Sequence, residues 1–176
     1  MIHRSVSLKL ITLDQGIQVK KLAEIGVWQG RSSYFFAEFF PEAHLYLIDP
    51  WKFSKQYLEK GLGPALSQKD FDWALQNVQR LFQNNPQVSI LQKTSHEALD
   101  LVPSDLDLVF IDGDHSYEAV KHDILNWKKK VRPGGILAGH DYSSDFPSVV
   151  QAVHDCLKDQ FQLAEDNVWF TKIEAS

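Results

Sequence analysis

The stretch KLAEIGVWQGRSS, Lys21–Ser33, read together with HLYLIDP, His44–Pro50, decides what kind of chain this is. In the first, a short apolar run carries an acid, Glu24, into Gly26 and Gly30 and then into a helix-forming segment. In the second, another apolar run ends in Asp49. Two short strands, each ending in chemistry, are the parts of a parallel sheet whose ligand crevice lies at the carboxyl ends of the strands. Gly26 and Gly30 let the backbone pass close to a ligand and start the next helix tightly. The Asp49 carboxylate is acceptor-only when ionised, so it can take the hydrogens of both ribose hydroxyls. Glu24-x-Gly26-x-x-x-Gly30 lacks the glycine triplet with which a dinucleotide's pyrophosphate is approached. The pattern therefore points to a nucleoside-bearing ligand that is not a dinucleotide.

Outward from this stretch, strand and helix patterns alternate. Strands are expected at Lys21–Gly26, His44–Asp49, Val88–Leu91, Leu106–Asp112 and Gly135–His140. The fourth, DLDLVFID, is almost continuously apolar, as suits a strand covered on both faces. Ser32–Phe40 reads as a short aromatic-rich helix. Phe71, Ala74, Leu75, Val78, Leu81 and Phe82 recur at helical spacing behind the capping-box pattern Ser67-x-x-Asp70. Tyr117, Val120, Ile124, Trp127 and Val131 do the same, ended by Pro133-Gly134-Gly135. A third stripe, Phe146, Val149, Val150, Val153 and Leu157, carries Pro147 in its first turn. Phe161–Ala164 and Val168–Ile173 flank the turn-forming Glu165-Asp166-Asn167 and read as a hairpin. The expected fold is α/β: a doubly wound, mostly parallel, seven-stranded sheet with a C-terminal antiparallel hairpin. Residues 51–66 fit no regular element and are expected to form a lid above the crevice.

Length and composition bound the function classes. A chain of 176 residues suits one domain with its own core. The net charge of −5 argues against nucleic acid as a partner. The single basic run, Lys128–Lys130 with Arg132, suits a helix C-terminus. Cys156 is the only cysteine and reads as a small core hydrophobe. No run approaches the roughly 20 apolar residues of a membrane span. The N-terminal IHRSVSLKLITL lacks the form of a signal peptide, so a cytoplasmic protein is the expectation.

A second constellation supplies chemistry. LVFIDGDHSYE brings Asp112, Asp114 and His115 to the end of the fourth strand, and GILAGHDY brings His140, Asp141 and Tyr142 to the end of the fifth. If those strands are neighbours, three carboxylates and two imidazoles crowd one rim. Like charges that close raise one another's pKa unless a cation compensates, and a divalent metal on carboxylate oxygens is the simplest compensation. A nearby Asp or His can take a proton from a reacting hydroxyl. The structural alternative is that Asp114 caps the helix beginning near Ser116 and His115 packs on Tyr117. The loop Leu91–Ser95 would lie beside an adenine ring, with Ser95 as its partner. His44, His122 and His154 read as structural.

From Lys21 to Ile173 the chain resembles a minimal class I S-adenosylmethionine-dependent methyltransferase. The spacing IDGDHSYE…W…PGG…HDY is similar to a bacterial subfamily related to macrocin-type sugar O-methyltransferases and the cephalosporin hydroxylase group. The resemblance implies S-adenosylmethionine as cofactor, with Glu24 and Gly26 near its methionine end and Asp49 on its ribose. Trp28, Gly30 and Ser32 would border it, as would Asp112. It also implies magnesium on Asp112 and Asp141, with His140 standing where relatives carry another acid. Asp114 falls at the proposed general-base position, beside His115 as a second candidate. The expected activity is O-methylation of a small-molecule hydroxyl, on a sugar or natural-product-like acceptor. Two other readings stay open. One is a nicotinamide-dependent oxidoreductase, in which Asp49 binds the ribose of NAD. The other is a non-catalytic cofactor-binding subunit. A homodimer, with Trp51, Phe53 and Tyr57 as mobile or interfacial aromatics, is one way to complete the acceptor site.

Overall fold

The computed structural model describes residues 3–53 and 67–174. Seven strands form one sheet in the order β3-β2-β1-β4-β5-β7-β6. They are β1 (Lys21–Ile25), β2 (His44–Asp49), β3 (Val88–Gln92), β4 (Leu106–Ile111), β5 (Val131–Gly139), β6 (Gln162–Ala164) and β7 (Val168–Lys172). The first five run parallel, and β7 joins β5 antiparallel with β6 outside it. The order reverses between β1 and β4, and there the carboxyl ends open into a crevice, as the rule for doubly wound sheets requires.

The pleat explains why both faces are covered. Leu22, Leu45, Leu47, Leu108, Phe110, Ile136 and Phe170 point to one side. There they meet α1 (Arg4–Asp14), α2 (Arg31–Phe39) and α3 (Gln68–Phe82) through Leu8, Phe36, Phe71, Ala74 and Val78. The alternate residues Ala23, Ile25, Val109, Ile111 and Leu137 point to the other side. They pack on α5 (Tyr117–Trp127) and α6 (Pro147–Leu157) through Val120, Ile124, Trp127, Val149 and Val153. This is the alternation of a strand period of two against helical stripes. The short α4 (Ser95–Ala98) follows β3 and carries a capping box between Thr94 and Glu97. The expected box between Ser67 and Asp70 is also present.

Besides the short α4, which has no counterpart among the expected helices, two elements differ from expectation. The fifth helix stripe ends at Trp127, and Lys128–Lys130 form a 3-10 turn. Val131 is already strand, and Pro133-Gly134-Gly135, expected to end the helix, lies within β5. The register slips there: Leu106 pairs with Val131 but Leu108 with Ile136. A bulge of this kind is where a sheet tolerates a proline with no N–H to give. The second difference is α1, which has no counterpart in the sequence reading. Its stripe is weak because Ser5, Ser7 and Thr12 are buried while Leu10 and Leu13 are exposed.

The opposite end of the sheet is held by Asp107, which is 6% exposed. Its carboxylate accepts from Lys20 N at 2.7 Å, Lys21 N at 2.9 Å and Arg132 Nε at 2.6 Å. The lid expected at 51–66 lies outside the described residues except for 51–53. Trp51, expected as mobile or interfacial, is instead 1% exposed in the core, and Phe53 packs edge-on to Phe71. Tyr57 lies outside the described residues. No helix among the described residues is long and apolar enough to cross a membrane.

Candidate functional site

Two cavities open at the carboxyl ends of the strands. The larger, about 890 Å³, runs past Gly26, Asp49, Thr94, Ser95, His122 and Asp123. The smaller, about 690 Å³, is bounded by His3, Arg4, Arg31, Ser32, Asp141 and Asp166. Both are of ligand size. They share four wall residues, Gly26, Trp28, Asp112 and His115.

The shared wall exists because the β1 and β4 loops touch. Asp112 N donates to Ile25 O at 2.7 Å, and Gly26 N donates to Ile48 O at 2.9 Å. Gly26 has φ +88°, and an added Cβ would collide with the Asp112 carbonyl. Gly30 caps α2 in the left-handed conformation and does not line either cavity; its packing neighbours are Val78 and Leu81. Trp28 also has positive φ, +51°. Its carbonyl accepts from Trp51 Nε1 at 2.8 Å, and its ring packs edge-on to Phe71 at 4.8 Å. The bulky residue inside the glycine loop is thus a packed wall.

Asp49 holds this loop. Oδ2 accepts from Val27 N at 3.1 Å and Trp28 N at 2.9 Å, and Oδ1 accepts from Trp51 N at 2.7 Å. Burial raises its pKa while these three N–H groups oppose that rise. A carboxylate offers about four acceptor positions, so three are spent on backbone and one remains. Among the described residues, that leaves about one position on the carboxylate for a ribose hydroxyl. Asp49→Asn is therefore expected to loosen the loop as well as lose a ligand contact. We predict a fall in nucleoside affinity of about tenfold or more, measured by calorimetry.

Glu24, expected near the ligand, lies beneath the loop and lines neither cavity. It is 1% exposed and accepts from Ser33 Oγ. Burial pushes its carboxyl up to about 8, the Ser33 hydrogen bond acting in the other direction. The folded protein keeps a proton that the unfolded chain releases near 4.5. The stability contributed by the neutral acid is thus full below that value and is lost as pH rises through about 8. Glu24→Gln, which stays neutral, is expected to flatten the decline of the urea midpoint across that window; an unchanged decline would place its cause elsewhere.

The acid and histidine rim forms because β4 and β5 are neighbours. Asp141, at φ +60°, bridges two rings: His115 Nε2 lies 2.8 Å from Oδ2, and His140 Nδ1 lies 2.9 Å from Oδ1. Burial acts to raise the Asp141 pKa, but the hydrogen bonds from the two histidines hold it well below the usual carboxylate range. Asp112 is pushed up to about 6, chiefly by burial, with the charges of Arg4 and His140 opposing. Ligand atoms of Asp112, His115 and Asp141 lie within 4.8 Å of one another. His140, expected among the metal ligands, is not in that group; it stands behind, 3.6 Å from Asp112 and 3.8 Å from Asp166.

Several expected roles shift. Asp114 Oδ1 accepts from Ser116 N at 2.7 Å, as the turn alternative expects, and the residue lines the larger of the two cavities and not the smaller. His115 packs on Phe146 rather than Tyr117. Ser95 lines the larger cavity, but its hydroxyl donates to Asp123 and accepts from Trp127 Nε1 at 2.8 Å. His122, expected to be structural, lines that cavity with His96, the two rings 3.2 Å apart through Nδ1 and Nε2. His3, Arg4 and Asp166 were not legible as site residues; they come from the N-cap and first residue of α1 and from the β6–β7 turn.

A sequence model described as a methyltransferase domain matches residues 23–142. Two curated relatives share shorter stretches. The uncharacterised protein R132 of Acanthamoeba polyphaga mimivirus is 39% identical over 64 residues, 35% of this chain and 28% of that one. The uncharacterised protein y4gI of Sinorhizobium fredii is 43% identical over 53 residues, 30% of this chain and 6% of that one. The matches therefore span under a third of either relative. The fold is shared with the O-methyltransferase NovP, at TM-score 0.67 and 20% identity, covering 95% of this chain and 76% of that one. It is shared also with the precorrin-6y C5,15-methyltransferase of Geobacter metallireducens, at TM-score 0.62 and 16% identity, covering 96% and 88%.

Proposed function

This chain belongs to the methyltransferase domain family, and on that premise we propose that it transfers the methyl group of S-adenosylmethionine to a hydroxyl of a small molecule. The observation that carries the reading is the shared wall: two ligand-sized cavities meet at Gly26, Trp28, Asp112 and His115. A nucleoside in the larger and an acceptor in the smaller would face each other across it. The residues present fit the donor: a backbone approach that any Cβ would fill at Gly26, one acceptor position left on Asp49, and apolar walls from Ile48, Phe53 and Phe71. When bound, S-adenosylmethionine supplies an activated methyl group.

The chain's own part is to orient the acceptor and remove its proton. His115 is the base we assign. Asp141 Oδ2 lies 2.8 Å from one ring nitrogen, Nε2, close enough for a carboxylate to orient an imidazole for general-base work. As the acceptor oxygen takes the methyl, its proton passes to His115. The acceptor class, a sugar or natural-product-like hydroxyl, is supported by the size of the smaller cavity and by its polar walls.

The donor set Asp112, His115 and Asp141 suits a divalent metal in kind. Its surroundings do not: Asp112 is already paired with the Arg4 guanidinium and Asp141 with two imidazoles. Isothermal titration with S-adenosylmethionine and with S-adenosylhomocysteine tests the proposal. Saturable binding of both is expected, and no heat at high micromolar ligand would overturn it.

A further inference from the structure

We infer that Arg4 is the resident cation of the smaller cavity, holding the place beside Asp112 that a metal would need. The assignment of the cation stands on contacts alone; its service to an acceptor oxygen rests on the methyl-transfer reading above.

Arg4 lies outside the stretch matched to the methyltransferase domain. It is the first residue of α1, and its Nη1 pairs with Asp112 Oδ2 across 108 positions of sequence. The turn between β6 and β7 aims it. Arg4 N donates to Asp166 Oδ2 at 2.8 Å, Arg4 Nε lies 3.9 Å from the same oxygen, and Ser7 Oγ donates to Glu165 O at 3.0 Å. Asp166 is thus a positioning residue for Arg4. The side chains of Arg4 and Asp112 are 28% and 13% exposed, so salt screens their attraction weakly.

Arg4 Nε is buried and has no hydrogen-bond partner among the described residues, Asp166 Oδ2 standing 3.9 Å away. A buried N–H left without a partner is uncommon and calls for an acceptor. A planar guanidinium carries five donors in a fixed fork. It can hold Asp112 with one and present others to an oxygen in the cavity. A divalent cation would need that Asp112 oxygen and would sit against a fixed positive charge. The charge of Asp112 is accordingly balanced by Arg4, while Asp141 lies against the rings of His115 and His140. At a developing alkoxide, an arginine supplies the stabilisation that a metal gives elsewhere.

The test is uptake of Mn2+ by the purified full chain, read by electron paramagnetic resonance. Samples are the wild type, Arg4→Gln, Arg4→Lys and the double variant Arg4→Gln/Asp112→Asn. Wild type and Arg4→Lys are expected to bind Mn2+ only weakly. Arg4→Gln is expected to bind one ion about tenfold or more tightly than wild type, since the repelling charge is gone. The double variant is expected to lose that gain. The inference is overturned if wild type takes up one Mn2+ as tightly as Arg4→Gln does. Should Arg4→Gln fail to fold by circular dichroism, the wild type decides. Stoichiometric Mn2+ uptake by it overturns the inference; no uptake, with S-adenosylhomocysteine affinity unchanged by EDTA, upholds it. Failure of S-adenosylhomocysteine to bind at all would sink methyl transfer and leave the Mn2+ comparison standing.

Discussion

Replacing His115 with alanine is expected to lower turnover by about 10²- to 10⁴-fold, the usual contribution of a positioned general base. S-adenosylhomocysteine affinity should change little by comparison. The reason is geometric: His115 lines both cavities, and its Nε2 lies 2.8 Å from Asp141 Oδ2. The companion variant is Asp141→Asn. Asp141 has φ +60°, a region in which asparagine is at ease, so the backbone should keep its course. The amide, though, no longer offers a carboxylate oxygen to each of the two rings. Turnover should fall. If donor affinity falls as far as turnover in either variant, His115 is a wall of the donor cavity and not the base.

The largest effect on the folded state is expected from Gly26→Ala. At φ +88° an L residue is strained, and the new Cβ would meet the Asp112 carbonyl and come within 2.6 Å of Gly113 Cα. Both neighbours are backbone of the loop after β4, which the 2.7 Å bond between Asp112 N and Ile25 O ties to the end of β1. Neither can move without opening the shared wall. Strain and overpacking together should cost about 3 kcal/mol or more, read from the urea midpoint, and donor binding should be lost. Gly113→Ala is the control. Its Cβ would meet nothing nearer than 3.7 Å, so its stability should stay close to wild type. Equal destabilisation by the two substitutions would refute the close approach as the cause.

Much of the site was legible because strand ends are. A period of two fixes which strand residues face the helices, and the crossover rule places the carboxyl ends at one crevice. That was enough to bring Gly26, Asp49, Asp112, His115 and Asp141 together from local patterns. What those residues do with their hydrogen bonds was not legible. Asp49 reads as a ribose acceptor until three backbone N–H groups are found on it. Ser95 reads as an adenine partner until its hydroxyl is found between Asp123 and Trp127. His122 reads as a helix-surface residue until the end of β3 brings His96 against it.

The sequence by itself determined the sheet, its helices on both faces and the rim of acids and histidines, since these follow from spacing along the chain. The tertiary structure alone decided the partners. Arg4 meets Asp112 because a helix with a weak apolar stripe is gripped by a turn 162 residues away. Spacing says nothing of such contacts: the free energy that selects them lies in burial and charge pairing between segments whose separation in sequence is arbitrary.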